Sequence, residues 1–550
     1  MRVHPAVRVA AVLISFLSVC VLAFWWGGGQ RGPQKSARAQ EGDGQGAAAA
    51  AFEFKGPASC VDCHTSPNPL RFRDLVLLNE SKVWLEEDKH SKAYELLATD
   101  LGRQIGKNLG IADVQKDRQC LSCHANWQKH MTEPPQFYDL GVTCESCHGP
   151  SSDWTAPHTE TAWRAKSPEE KAKLGMVDVR NPLARSRQCF SCHLGNVEEG
   201  KLITHAMYAA GHPPLPSIEI ESFATQMPPH WRYLPERGNF YGKSDFLNAN
   251  FGDHKDVVVG DLPRTRAVLI GGVAVLQASV DLLVEQSQQS PQTWPEFAVF
   301  DCVGCHHDLE SPSWRQQRGY SATPGRPTLP QWPAALVRAS LRHLAGDDDA
   351  AYAEQLATFE ARFAELNDAV GRKPFGDPAA VRQAAAELNS MLSSVTSALA
   401  RSKCDEVAAG RVLAVLCATD GVPDVDYHSA RQIAWAARTI ATELAAPYPS
   451  GWGPEPPAGE GRPERVAREK ADLEIYEAWK ADVRAAAERK VSGWFDEVGL
   501  NESLYLNLPA GQDYKLEDTL PVALERSAEY DPATFKEQLA KLRAKLEEAD

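Results

Sequence analysis

The sequence predicts a mainly α protein with little regular strand, in two parts: a first half packed around a bound group and a second half that is an α-helical bundle. Three observations predict it. Strand signals, meaning short alternating runs rich in β-branched residues, are sparse throughout. Ten of the 13 Cys fall in five short segments of one repeated form between residues 57 and 310. Beyond residue 335, segments rich in Ala, Leu, Glu, Arg and Lys recur at helical spacing.

The chain divides by composition. At 550 residues it is too long for a single hydrophobic core of ordinary size. Arg2 and Arg8 precede an apolar run from Val9 to Trp26, so residues 1–27 read as a signal peptide or an N-terminal membrane anchor. The run is long for a signal and just long enough to span a bilayer, which favours the anchor. Ala37-Arg38-Ala39 has the form of a cleavage site but lies well past the run. Cys20 follows Leu17-Ser18-Val19, and the Val before it argues against lipidation.

Residues 28–56 are rich in Gly, Ala and Gln and read as a flexible linker. Residues 57–310 form the Cys- and His-rich domain. Residues 311–334 are a Pro/Gly-rich connector. Residues 335–550 are the helical domain, with helices expected over 349–370, 378–402, 425–446, 465–491 and 533–549. One further helix is expected over 264–286, where Gln277, Ser279 and Asp281 favour burial in protein over a membrane span. Gly271-Gly272 within it lacks the other spaced glycines of a dinucleotide fingerprint.

The repeated form is Cys-x-x-Cys-His. It occurs at Cys60, Cys63 and His64; at Cys120, Cys123 and His124; at Cys144, Cys147 and His148; at Cys189, Cys192 and His193; and at Cys302, Cys305 and His306. Two thiols at this spacing form thioethers with the two vinyl groups of one haem, and the adjacent His reaches the iron from the same side. Five matches put chance aside and predict five covalently attached haem c groups. A zinc site would pair two such thiol units and would not need a His after each. A redox dithiol has no reason to occur five times. Cys404 and Cys417, in the helical half, read as buried small apolar residues, with a disulfide as the alternative in an oxidising compartment.

Eleven of the 16 His lie outside the motifs, nine of them between the first motif and residue 343: His90, His130, His158, His205, His212, His230, His254, His307 and His343. The supply is sufficient for a second axial His on every iron, which gives lower potentials than His/Met ligation. The preferred distal candidates are His90, on an amphipathic helix in VWLEEDKHSKAYELL; His158, ten residues after a proximal His; His205 and His212 in THAMYAAGHPPL, where Gly211 and Pro213 fix the turn; and His230 in MPPHW. His307 follows a proximal His directly and points to a neighbour. Met131, Met207 and Met227 are alternatives. Five haems in about 250 residues replace much of a side-chain core, and close packing favours electron transfer among them.

The segments WLEEDKHSKA, GVTCESCHGPSSDWTAPH and AAGHPPL resemble the tetrahaem cytochrome c-554 family over about residues 57–235. The resemblance implies stacked haem pairs and mostly bis-His irons, with His90 and His158 among the distal ligands. The chain departs from that family in a fifth motif, in the FDCVGCHHDL and WRQQRGY segments and in the helical extension.

The net charge of −15 argues against nucleic-acid binding, which needs a basic face. The leading function is periplasmic electron transfer, at or near the outer face of the cytoplasmic membrane, between redox partner proteins such as donor and acceptor cytochromes or a membrane complex. Two enzymes compete with it. A nitrite- or hydroxylamine-type oxidoreductase would need one open iron; no Cys-x-x-Cys-Lys motif is present. A membrane quinol dehydrogenase would set its first haem close to the anchor, whereas more than thirty residues separate Trp26 from Cys60. The helical domain reads as a docking module or a cap.

Overall fold

The architecture is given by a computed structural model that describes residues 52–65, 77–128, 130–236, 260–289, 294–318, 326, 328–372, 375–420, 423–448, 461–508 and 519–548. The N-terminal apolar run and His254 lie outside the described residues. Every regular element among the described residues is helical, apart from one isolated bridge between Asn196 and Lys201. The fold is mainly α, as its composition and periodicity predict.

The organising element is the helix Pro263–Ser287. Pro263 fits the first helical position, where its missing N–H costs nothing. The helix is apolar on all sides, and such a helix must be buried or lie in lipid. Here 72% of its most apolar window is buried inside the protein. Of the polar residues that argued against a membrane span, Ser279 donates to Val275 O of its own helix (2.9 Å), and Gln277 and Asp281 find partners on the neighbouring helix Pro378–Arg401. Thr396 Oγ1 donates to Gln277 Oε1 (3.0 Å), Gln277 Nε2 donates to Ser393 Oγ (3.2 Å) and Asn389 Nδ2 donates to Asp281 Oδ1 (2.6 Å). Gly271 and Gly272 let this helix approach its neighbours. A Cβ at Gly271 would meet Ile220 Cγ2 at 2.2 Å, and one at Gly272 would meet Leu336 Cβ at 2.5 Å.

One continuous hydrophobic core runs from Leu262 to Leu542. It takes in Pro263–Ser287 together with Asp349–Gly371, Pro378–Arg401, Glu406–Leu416, Tyr427–Ala445 and Pro532–Glu547. Leu366, Leu388, Leu392 and Trp435 are fully enclosed in it. Phe52–Asp550 is one compact unit, and the core crosses the Pro/Gly-rich 311–334 segment instead of stopping there. That segment carries two short helices, Trp314–Gln317 and Trp332–Ala334, and Arg318 Nη1 donates to Ser527 O at 3.0 Å.

The first half is built differently. Its helices are 4 to 12 residues long, and its own apolar cluster is Leu97, Val114, Leu121 and Ala125. Little side-chain core holds residues 52–236 together. The expected amphipathic helix through Val83–Leu97 is broken into Glu80–Glu86, the 3-10 turn Lys89–Lys92 and Glu95–Ala98. The break is made by Asp88, which adopts an extended conformation and accepts from His90 N (3.0 Å) as an N-cap.

A buried charge network joins the two halves. Glu221 receives Arg185 Nη2 at 3.2 Å, Arg264 Nη1 at 2.9 Å and the Tyr233 hydroxyl at 2.8 Å. Arg264 also reaches Glu236 at 3.2 Å. Glu443, on Tyr427–Ala445, accepts from Arg264 N (3.0 Å), Thr265 N (2.7 Å) and the Tyr448 hydroxyl (2.6 Å). The helix Pro182–His193, which carries the fourth motif, is thereby fixed to the bundle core.

Candidate cofactor sites

Four of the five Cys-x-x-Cys-His motifs end a helix. These are Ala58–His64, Arg118–His124, Cys144–His148 and Pro182–His193. Residues i, i+3 and i+4 share one helical face, so both thiols and the imidazole project together. The fifth motif uses the 3-10 turn Cys302–Gly304, in which i and i+3 are eclipsed. Local caps set each turn. Asp117 Oδ1 accepts from Gln119 N (2.9 Å), Asn181 Oδ1 from Leu183 N (2.9 Å) and Asp301 Oδ1 from Val303 N (3.3 Å).

Four of the five motif His each face one other His from far along the chain. Ring centres lie 6.3 Å apart for His64 and His158, 6.3 Å for His193 and His90, 6.4 Å for His148 and His230, and 6.2 Å for His306 and His205. The fifth, His124, lines the same cavity as His212. Two imidazoles bound to opposite sides of one iron have this spacing: roughly 2 Å from metal to each nitrogen and about 1.1 Å from nitrogen to ring centre give about 6.2 Å.

Five of the outward nitrogens are held. Nδ1 of His124 donates to Ala93 O (2.7 Å), that of His158 to Thr155 O (2.5 Å) and that of His212 to Pro213 O (2.7 Å). Nδ1 of His64 meets Glu80 Oε2 at 2.8 Å, and that of His90 meets Asp88 Oδ1 at 2.9 Å. A donated Nδ1–H fixes the tautomer that leaves Nε2 free as a metal ligand. Burial pushes His148 and His193 down to about 4, so both rings are neutral at pH 7 and able to ligate.

The five pairs line the walls of two cavities. The larger, of about 2090 Å³, is bounded by the first four motifs and runs on to Cys302. A single small-molecule pocket is typically about 300–1,000 Å³, so this space suits several large groups. The smaller, of about 300 Å³, is lined by His205, His306, Phe297 and Phe375 among others. Contacts between motifs give their order. Cys60 lies within hydrogen-bonding reach of Cys144, Cys147 is close to Cys189 and Cys192, and Cys192 reaches Cys123. Tyr208 then links the second and fifth sites, with its ring centre 6.4 Å from that of His212 and its hydroxyl near Cys302. The sequence first, third, fourth, second, fifth is a continuous line.

The donor set fits haem better than its rivals. Among the described residues, no three His, Cys, Asp or Glu converge as a bare metal site. Opposed imidazole pairs need four more ligands in the plane between them, which a porphyrin supplies. A reactive dithiol depends on a depressed thiol within its own motif. Burial instead raises Cys120, Cys189 and Cys302 to about 11. Cys60 and Cys192 are lowered to about 6 by hydrogen bonds from Cys144 and Cys123, which belong to other motifs.

The other candidates fall elsewhere. His343 is buried in the bundle with Nε2 bonded to Ser402 Oγ at 2.8 Å. His307 donates from Nδ1 to Asp308 O at 2.5 Å. Cys404 and Cys417 are buried free thiols with no disulfide between them. Sequence reasoning missed Glu80 and Asp88. Asp88 stands two residues before His90 and could have been noticed as its cap; Glu80 lies 16 residues from His64 and carries no local signal.

Comparison with known proteins points to the same class of cofactor. The family model for cytochrome c554 and c-prime matches residues 59–149, which hold the first three motifs. Cytochrome c-554 of Nitrosomonas europaea is 28% identical over 160 residues, covering 26% of this chain and 60% of that protein's length. No solved structure matches. The chain therefore resembles the c-554 cytochromes over part of its length, and that resemblance implies covalently bound haem c.

Proposed function

We propose that the protein is a five-haem c-type cytochrome that transfers electrons, with every iron held between two His. The observation that carries this reading is the opposition of four motif His, each to a different second His, with His212 sharing the cavity of the fifth, His124. His64, His124, His148, His193 and His306 would be the proximal ligands. His158, His212, His230, His90 and His205 would lie opposite them, and the ten motif Cys would carry the thioethers. Haem c bound at these sites supplies a reversible one-electron couple. The chain's own residues hold the ring planes, fix the Nδ1 tautomers and keep water from the enclosed sites.

The order of touching motifs gives a path whose ends are the first and fifth sites. Cys63 and the pair Cys302 and Cys305 are exposed there, as is Cys147 of the third motif, so partner proteins could approach at either end or beside the third site. Export and attachment through residues 1–27 to the outer face of the cytoplasmic membrane complete the reading. An oxidoreductase acting on nitrite or hydroxylamine would need a motif His with an open opposite side, and the ring facing each of His64, His148, His193 and His306 speaks for electron transfer instead.

The experiment is substitution of one distal His in the purified holoprotein. His205→Ala should leave five haems attached and convert one of them to a high-spin, carbon-monoxide-binding iron. Retention of five unperturbed low-spin haems would sink the assignment.

A further inference from the structure

Five of the ten axial imidazoles have a defined acceptor at Nδ1, and the acceptors are of two kinds. His124, His158 and His212 donate to neutral backbone carbonyls. His64 and His90 donate to carboxylates. Both carboxylates are fixed by more than the imidazole. The second oxygen of Glu80 accepts from Leu77 N at 2.7 Å, and Asp88 Oδ1 also accepts from His90 N at 3.0 Å. Both are poorly solvated, the side chain of Asp88 being 7% exposed and that of Glu80 19%. The two belong to different sites, since His64 serves the first and His90 opposes the fourth motif's His193. In the second site, by contrast, both rings donate to carbonyls.

We propose that Glu80 and Asp88 are potential-setting residues that make the first and fourth sites lower in reduction potential than the second. The inference rests on the five-haem reading above and adds to it which sites are most reducing. The physics is that of an outer-shell partner. A carboxylate accepting the Nδ1–H pulls the proton away from the ring, so the ring becomes a more basic, more anionic ligand. An anionic ligand stabilises Fe(III) over Fe(II), and a poorly hydrated carboxylate does so more strongly than an exposed one. A carbonyl orients the ring equally well but adds no net charge.

The orienting role and the charge role can be separated because Glu→Gln and Asp→Asn keep an acceptor oxygen and remove the charge. The expected change is up to about tenfold in the Fe(III)/Fe(II) equilibrium of one site, which is 59 mV for one electron.

The test is spectroelectrochemical titration of the full-length holoprotein and of Glu80→Gln, Asp88→Asn and the exposed control Glu87→Gln, each with haem counted by the pyridine haemochrome assay. Five haems in every sample, with one low midpoint raised in Glu80→Gln, a different one raised in Asp88→Asn and none in Glu87→Gln, is the expected result. Five low-spin haems with all midpoints unchanged in both variants, or an equal rise in Glu87→Gln, would overturn the proposal. Should Glu80→Gln fail to retain haem, Asp88→Asn carries the same test at the fourth site. A wild-type protein with fewer than five haems would instead overturn the parent reading.

Discussion

His205 and His306 face each other with ring centres 6.2 Å apart and planes only 21° from parallel, although 101 positions separate them in the chain. His205 opens the helix His205–Ala209, its backbone N–H donating to Glu296 Oε1 at 2.7 Å; Glu296 lies ten residues before His306. The fifth site is therefore assembled from two segments already tied together by the hydrogen bond from the His205 backbone to the Glu296 carboxylate. Removing both thiols with Cys302→Ala and Cys305→Ala should leave a folded protein with four haems, as read by intact mass and by the haemochrome assay. A count still at five, or a collapse to none, would contradict the independence of this site.

The imidazole planes differ from site to site. His64 and His158 are 15° apart, while His90 and His193 are 88° apart. Near-parallel axial planes split the iron orbitals and give a rhombic low-spin EPR signal, and near-perpendicular planes give a strongly anisotropic one. Both kinds of signal should be present in the oxidised protein. His90→Met should remove a strongly anisotropic component and leave the rhombic ones.

Glu221 is buried against two arginines and a tyrosine where the haem-binding half meets the bundle. Glu221→Ala would leave Arg185 and Arg264 short of a counter-charge. Breaking a buried pair in this way costs about 3–5 kcal/mol. The denaturation midpoint should fall accordingly. Glu87→Ala, at an exposed position, should change stability by less than about 0.5 kcal/mol.

Gly271→Ala and Gly272→Ala test the packing of Pro263–Ser287. Each added methyl would meet Ile220 or Leu336 well inside contact distance. Overpacking of this kind costs about 1–3 kcal/mol. Gly410→Ala, a helical glycine with open space at its Cβ, should be neutral or stabilising. Thermal denaturation of the three variants ranks them directly.

The parts legible in the sequence were those written locally. The i, i+3, i+4 chemistry of each motif needs only one helical turn, so all five attachment segments could be read without knowledge of the fold. The long bundle helices announced themselves by period, and the 378–402 expectation matches Pro378–Arg401. Lys89–Lys92 did not, because one Asp cap outweighs amphipathic spacing over so short a span. The matching of His90 to His193 could not be read either. It depends on how helices 103 residues apart are set beside each other, and no local pattern encodes that. The 264–286 helix was recognised as buried, but its packing against Pro378–Arg401 makes it the spine of the second half, although the sequence places it in the first.

The central claim is that five haems are attached and that all five irons are closed by two imidazoles. EPR of the oxidised purified protein, with haem counted on the same sample, tests it most directly. The account predicts five haems per chain and low-spin signals alone. A high-spin signal from one of the five, or a count below five, would contradict it.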